Sequence, residues 1–205
     1  MSENIVLYGA SGHCKVVIDA LKSNNIIVDS VIDDNPKSDK ILGINIEQVT
    51  KEKLIKLANV IVTIGDNRTR KKVVDKLNCN FSKVIHSKAI VSEYATIGAG
   101  TAVFAGAVIN PDAKIGQHCI INSLAVIEHD CVVESFVHIS PNAALAGGVQ
   151  VGEGAHVGIG AVVLQGVSIG KWAIVGAGAV VLKDIPNHAV AVGNPAKIIK
   201  RNENS

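Results

Sequence analysis

From Val91 to Ile185 a large aliphatic residue recurs every six positions: Val91, Ile97, Val103, Ile109, Ile115, Ile121, Ile127, Val133, Ile139, Leu145, Val151, Val157, Val163, Ile169, Val175 and Val181. Four residues after each comes a second, mostly small set that includes Ala107, Ala113, Cys119, Ala125, Cys131, Ala143, Ala155, Ala161, Ala173 and Ala179, and that ends at Ile185. A fixed six-residue period over sixteen repeats is the signature of a parallel β-helix. Each hexad reads as one short strand and a turn, with the large aliphatic pointing inward and the small residue filling a corner. Gly98, Gly116, Gly152, Gly158, Gly170 and Gly176 follow the aliphatic, which suits tight backbone at the corners. Three hexads make a triangular coil of eighteen residues, so residues eighteen apart stack and each coil buries its faces against its neighbours. An antiparallel sandwich would not hold a six-residue register for so long.

Before the repeat the pattern changes. Ile5–Tyr8 reads as a buried strand, residues 9–12 as a turn, 13–24 as a helix and 26–32 as a second strand ending at Asp33-Asp34. Residues 47–58 read as a short helix, 60–64 as a third strand, and 68–77 as a basic helix after Gly65-Asp66-Asn67. Strands alternating with helices indicate a small Rossmann-like parallel α/β sheet. Three regions are therefore expected: an α/β domain over 1–82, a β-helix over 83–186, and a tail over 187–205 that leaves the prism and carries a short basic helix over 196–202.

Composition narrows the function classes. A net charge of +2 on 205 residues argues for neither nucleic-acid nor membrane binding. No apolar run is long enough to span a bilayer, and no secretory leader precedes the first strand. The four cysteines (Cys14, Cys79, Cys119, Cys131) show no CxxC spacing, and two of them sit at repeat corners, where cysteine acts as a small hydrophobe. A reduced, cytoplasmic protein is expected.

Four segments carry candidate chemistry. Gly9, Ala10, Ser11, Gly12 and His13 form a glycine-rich turn at a helix N-terminus, suited to phosphate. Asp33 ends the next strand, where a ribose-binding acid sits in nucleotide-binding folds. The full G-x-G-x-x-G fingerprint is absent and Cys14 stands where a further glycine could be, so a nucleotide carried by a substrate suits the turn better than a redox dinucleotide; a tight turn without ligand is the alternative. Gly65, Asp66 and Asn67, with Arg68 and Arg70, belong at the same crevice, either contacting a nucleotide and its phosphate or merely capping a helix. Glu128-His129-Asp130 offers an exposed imidazole flanked by carboxylates, the usual general-base arrangement. Adjacent strand side chains diverge, so the sequence leaves open whether Asp130 or Glu128 reaches His129. His138 lies one and a half hexads on, hence on a different face; within one chain it need not meet His129, whereas across a subunit boundary it could. No ligand-spacing cluster points to a metal. Gly193-Asn194-Pro195-Ala196-Lys197 places positive charge beside the β-helix end.

Taken together, the hexad array and Gly193–Lys197 resemble left-handed β-helix acetyltransferases that use acetyl-CoA. The Leu-Tyr-Gly-Ala-Ser-Gly-His segment (7–13), Asp33-Asp34 and Thr-Ile-Gly-Asp-Asn (63–67) are similar to the branch containing nucleotide-linked amino-sugar N-acetyltransferases and sialic-acid O-acetyltransferases. The resemblance implies a homotrimer with active sites between β-helices, His129 as general base with Asp130 as partner, and His138 near the thioester or substrate. It implies Asn122 on the sugar, and the sugar nucleotide on Gly9–His13, Asp33, Asp34 and Gly65–Asn67. Ala146 and Gly147 would meet the thioester carbonyl, and Ile159, Gly160, Gly176, Ala177 and Lys197 would line the CoA groove. The reaction implied is acetyl transfer to a UDP-, GDP- or dTDP-linked 4-amino-dideoxy sugar for surface glycan synthesis. O-acetylation of a sialic-acid-type sugar, or a non-catalytic sugar-nucleotide-binding scaffold, are the alternatives.

Overall fold

A computed structural model of the chain describes residues 5–50, 54 and 59–201. The N-terminal unit is a six-stranded sheet in the order β3-β4-β2-β1-β5-β6, with β1 Ile5–Tyr8, β2 Val28–Asp33, β3 Lys40–Ile41, β4 Ile44–Gln48, β5 Asn59–Val62 and β6 Asn80–Phe81. All pairs are parallel except the β3–β4 hairpin, so the expected sheet acquires one antiparallel edge. Helix α1 (Gly12–Lys22) buries Cys14, Val17, Ile18, Ala20 and Leu21. Helix α2 spans Asn67–Val74. Of the helix expected over 47–58, Glu47 and Gln48 instead close β4; residues 51–53 and 55–58 lie outside the described residues.

The β-helix begins at Val84–Ile85, one hexad before Val91, and its strands pair in parallel with the residue eighteen positions on, as in the column Ala102, Ile120, His138, His156, Ile174. The large aliphatics and the small residues four later form one continuous core, with Ile121, Ala125, Ile127, Cys131, Ile139 and Leu145 fully buried.

Two different glycine requirements alternate along each hexad. The fourth residue takes the left-handed conformation, as at Asp112 (φ 60°), His118 (54°), Asp130 (61°), Phe136 (62°) and Gly154 (68°). The glycine directly after the aliphatic does not; it is needed because coils touch there. A Cβ on Gly98 would lie 2.7 Å from the Gly116 carbonyl. Close stacking between coils, rather than the turn itself, therefore explains that set.

The three prism faces differ in their outward columns. One carries Val84, Ala102, Ile120, His138, His156 and Ile174, and α1 docks on its first three residues together with Phe104. The second carries Ile90, Val108, Val126, Ala144, Val162 and Val180, apolar throughout. The third carries Thr96, Lys114, Val132, Gln150 and Ser168.

The segment expected to leave the prism stays on it. Ala189–Val192 stacks on Ile174–Val175 as one more rung, with Ala189 and Ala191 fully buried. The helix expected over 196–202 is a strand, Lys197–Arg201, antiparallel to that rung. The open edge of the last rung supplies backbone partners that an isolated basic helix would lack.

Candidate active site

Local turn geometry builds the first constellation. His129 and Asp130 are the third and fourth residues of their hexad, so they lie in a turn and not on a strand. The left-handed backbone at Asp130 swings its carboxylate back beside the preceding ring, and His129 Nδ1 lies 2.7 Å from Asp130 Oδ2. That bond places the proton on Nδ1 and leaves Nε2 as the free lone pair. Bonding to Asp130 is the main influence that raises the His129 pKa above the ordinary imidazole value. The ring is exposed and lies against Gly147, where a Cβ would come within 2.7 Å of Cε1 and 2.8 Å of Nε2.

At that corner Ala146 N–H donates to Val163 O and Gly148 N–H donates to His129 O. The Gly147 N–H between them has no partner among the described residues. An imidazole with its lone pair exposed and a free backbone donor thus share one edge of the prism.

The second constellation lies where the N-terminal unit stops covering the docked face. Above Ile120 the outward column turns to His138 and His156, whose rings stack at 4.7 Å and 1°. Asn122 Oδ1 accepts from Ser123 N–H, which orients the amide so that Nδ2 donates to His138 Nε2 at 3.1 Å. Ser140 Oγ is 2.8 Å from His156 Nε2. Burial first, then His156, Arg70 and His13, push the His138 pKa down to about 3. Burial and Arg70 hold His13 at about 4. His138 is therefore a neutral, hydrogen-bonded ring and not a base near pH 7. These two rings, the Gly65–Arg68 turn, Trp172 and Ile174 line a cavity of about 340 Å³, with Arg68 lying over the Trp172 ring at 5.0 Å.

The nucleotide-type features gather at the carboxyl ends of β1, β2 and β5. Gly9 takes φ 107°, and a Cβ there would press on Ile64 Cγ1 at 2.9 Å. Ser11 caps α1 without a side-chain hydrogen bond, and the first turn holds no acid, so the helix N-terminus is open to an anion. Asp33 receives Ala10 N–H at 2.7 Å and Asn35 N–H at 2.8 Å, so it braces the glycine turn. Asp34 accepts from Tyr8 OH at 2.9 Å. Asp66 caps α2 by accepting from Thr69, whose hydroxyl chiefly lowers its pKa.

Two side chains expected at a nucleotide point elsewhere. Asn67 is buried, its amide donating to the Gly154 and Ala155 carbonyls. Arg70 is 1% exposed and engaged by protein carbonyls, not placed for phosphate. His156 and Trp172 were not expected at the site. His156 stands eighteen residues after His138, one coil on, and that spacing was the available signal. Trp172 occupies a left-handed corner (φ 56°), which the hexad position predicts but its chemistry does not.

Within one chain the candidate residues divide between two edges. His129, Asp130, Ala146 and Gly147 lie on the edge between the apolar and polar faces. Asn122, Ile159, Gly160, Gly176 and Ala177 lie on the edge between the docked and apolar faces, and Lys197 is exposed at the end of the β-helix. The apolar face separates the two edges. Among the described residues no group of three His, Cys, Asp or Glu is placed to hold a metal, and no helix is long and apolar enough to cross a membrane.

Comparison with known proteins agrees with this architecture. Residues 4–77 match the PglD N-terminal domain, and residues 148–183 match the bacterial transferase hexapeptide, six repeats. UDP-N-acetylbacillosamine N-acetyltransferase of Bacillus subtilis (strain 168) is 40% identical over 112 residues, half of this chain; the match spans 52% of that protein's length. A mutant of perosamine N-acetyltransferase from Caulobacter crescentus, solved with CoA and GDP-perosamine, superposes with a TM-score of 0.92 at 40% identity, covering 98% of both chains. The acetyltransferase domain of PglB from Neisseria gonorrhoeae FA1090, solved with acetyl coenzyme A, gives 0.90 at 32% identity over 97% of this chain and all of that one. With its α/β unit, its hexad array and both edges intact, the chain belongs to the family of acetyl-CoA-dependent sugar N-acetyltransferases that includes perosamine N-acetyltransferase and the PglB acetyltransferase domain.

Proposed function

We propose that this protein transfers the acetyl group of acetyl-CoA to the 4-amino group of a UDP-, GDP- or dTDP-linked dideoxy sugar, in the cytoplasm, during surface glycan synthesis. The observation that carries the reading is the His129–Asp130 pair lying over Gly147, a base beside a free backbone donor. The sugar amine attacks the thioester carbon while His129 Nε2 takes its proton. The Gly147 N–H receives the developing oxyanion. The tetrahedral intermediate collapses by breaking the C–S bond, and the CoA thiolate is reprotonated. Asp130 keeps the imidazole in the required tautomer and stabilises its cation. No acyl-enzyme is needed, since Cys14, Cys119 and Cys131 are buried with their thiol pKa values raised by burial.

The working unit in this reading is a homotrimer. Among the described residues no element packs over the apolar column Ile90, Val108, Val126, Ala144, Val162 and Val180, none of whose residues is fully buried, and Ile90 and Val162 are 67% and 42% exposed. An unbroken apolar face of this kind marks an interface. Packing it against neighbouring copies brings the His129 edge of one protomer towards the His138 cavity and the Asn122 edge of the next, with CoA between them along Ile159, Gly160, Gly176, Ala177 and Lys197. The sugar nucleotide runs from the Gly9–His13 turn and Asp33-Asp34 past Gly65 and Asp66.

The test is thiol release from acetyl-CoA with a panel of nucleotide-linked 4-amino sugars beside free and CMP-linked sialic acid. Turnover on an amino sugar, lost by about 10²–10⁴-fold in His129→Ala, is expected. Turnover on sialic acid alone would move the reaction to O-acetylation, and acetyl-CoA binding without turnover on any acceptor would leave a scaffold.

A further inference from the structure

Arg70 is fully buried, yet among the described residues no carboxylate lies within ion-pair distance of it. Its five N–H donors meet five neutral oxygens instead. Nε donates to His118 O at 2.8 Å, Nη1 to Ile64 O at 2.9 Å and Gly65 O at 3.1 Å, and Nη2 to Asn67 Oδ1 at 2.8 Å and Phe136 O at 2.9 Å. Asn67 extends the reach, its Nδ2 donating to Gly154 O and Ala155 O at 3.1 Å each.

The acceptors His118, Phe136 and Gly154 are eighteen residues apart, stacked left-handed corners of successive coils. Their carbonyls are left over by the ladder, which uses the next residue each time, as in Ala102 N–H to Cys119 O, Ile120 N–H to Val137 O and His138 N–H to Ala155 O. An arginine and an asparagine satisfy three in a row, and the Gly65–Arg68 segment next to them lines the same cavity as His138. Gly65 and His138 line the same cavity, so the turn that Arg70 holds borders the space around His138.

We propose that Arg70 is a positioning residue: with Asn67 it rivets the Gly65–Arg68 turn to the stacked corner carbonyls and so fixes the shape of the acceptor cavity around His138 and His156. Lysine keeps the charge but has one ammonium in place of a planar fork, and cannot span His118, Gly65 and Phe136 together. The His129–Gly147 edge lies outside this network.

The proposal rests on the acetyltransferase reading, and its test separates the two. Arg70→Lys and, as a milder cut that removes the Gly154–Ala155 link and one of the five Arg70 acceptors, Asn67→Ala are compared with the wild type for KM towards the nucleotide sugar and towards acetyl-CoA. A rise of about tenfold or more in the sugar KM, with the acetyl-CoA KM within about twofold and the circular dichroism unchanged, is expected. Equal rises in both KM values, or none, would overturn the proposal. If the wild type turns over no nucleotide sugar, the proposed function fails, and the positioning role is then read from the imidazole NMR signals. His138 and His156 should shift in both variants while His129 does not, and unchanged signals would refute it.

Discussion

Gly147→Ala tests whether the placement of His129 limits the reaction. The added Cβ would lie 2.7 Å from His129 Cε1 and 2.8 Å from Nε2, with His129 Nδ1 next at 3.4 Å. Apolar heavy atoms rest at about 3.5–4.0 Å, so the ring must retreat by roughly 1 Å. Nothing in the backbone opposes alanine, since Gly147 is outside the left-handed region that its neighbour Gly148 (φ 68°) occupies. The ring is exposed, so it swings away at little cost to stability, but swinging breaks its 2.7 Å bond to Asp130. A displacement of this size at a reacting group costs on the order of 10²-fold in rate. In the thiol-release assay kcat should therefore fall by about 10²-fold while Tm stays within about 2 °C of wild type. The free Gly147 N–H survives the substitution, so the loss reports on the base and not on the oxyanion donor. Combining Gly147→Ala with His129→Ala should cost no more than His129→Ala alone, because the first change acts only through the second residue. A wild-type kcat in Gly147→Ala, or full additivity in the double variant, would refute the reasoning.

Two further outcomes follow from the same geometry. Asp130 raises the His129 pKa, and the base works in its neutral form, so activity should climb as pH rises through that pKa; Asp130→Asn should move the acid limb of the kcat/KM profile to lower pH while lowering its plateau, and a limb that stays in place would remove Asp130 from the mechanism. Val162→Glu puts a charge on the apolar face and should convert the proposed trimer to smaller species in sedimentation velocity with the circular dichroism unchanged; persistence of the assembly would place the interface elsewhere.

The repeat was legible residue by residue because solenoid contacts are nearly one-dimensional. Each inward position is repeated by its neighbours, so Cys119 and Cys131 could be placed at buried corners without knowledge of the rest of the fold. The α/β unit was legible in its strand–helix alternation, and its glycine turn was visible in Gly9–Gly12. Three features were not. Whether Asp130 reaches His129 depended on the left-handed backbone at Asp130, which strand geometry would have ruled out. Residues 196–202 read as a basic helix in isolation, yet the exposed edge of Ala189–Val192 pairs with Lys197–Arg201 as a strand. Asn67 and Arg70 looked like ligand groups because the local signal, Asp66 capping onto Thr69, says only that a helix starts there. Their acceptors on the β-helix lie 48 to 88 residues away in sequence. The sequence by itself determined the prism, its core and the hexad place of every candidate within the repeat, because a strict period leaves one way to bury each side chain. The tertiary structure decided which of those candidates face a cavity, which are spent holding two units together, and that His129 and the His138 cavity sit apart on one chain, because those outcomes depend on orphan carbonyls and docking contacts that no local pattern encodes.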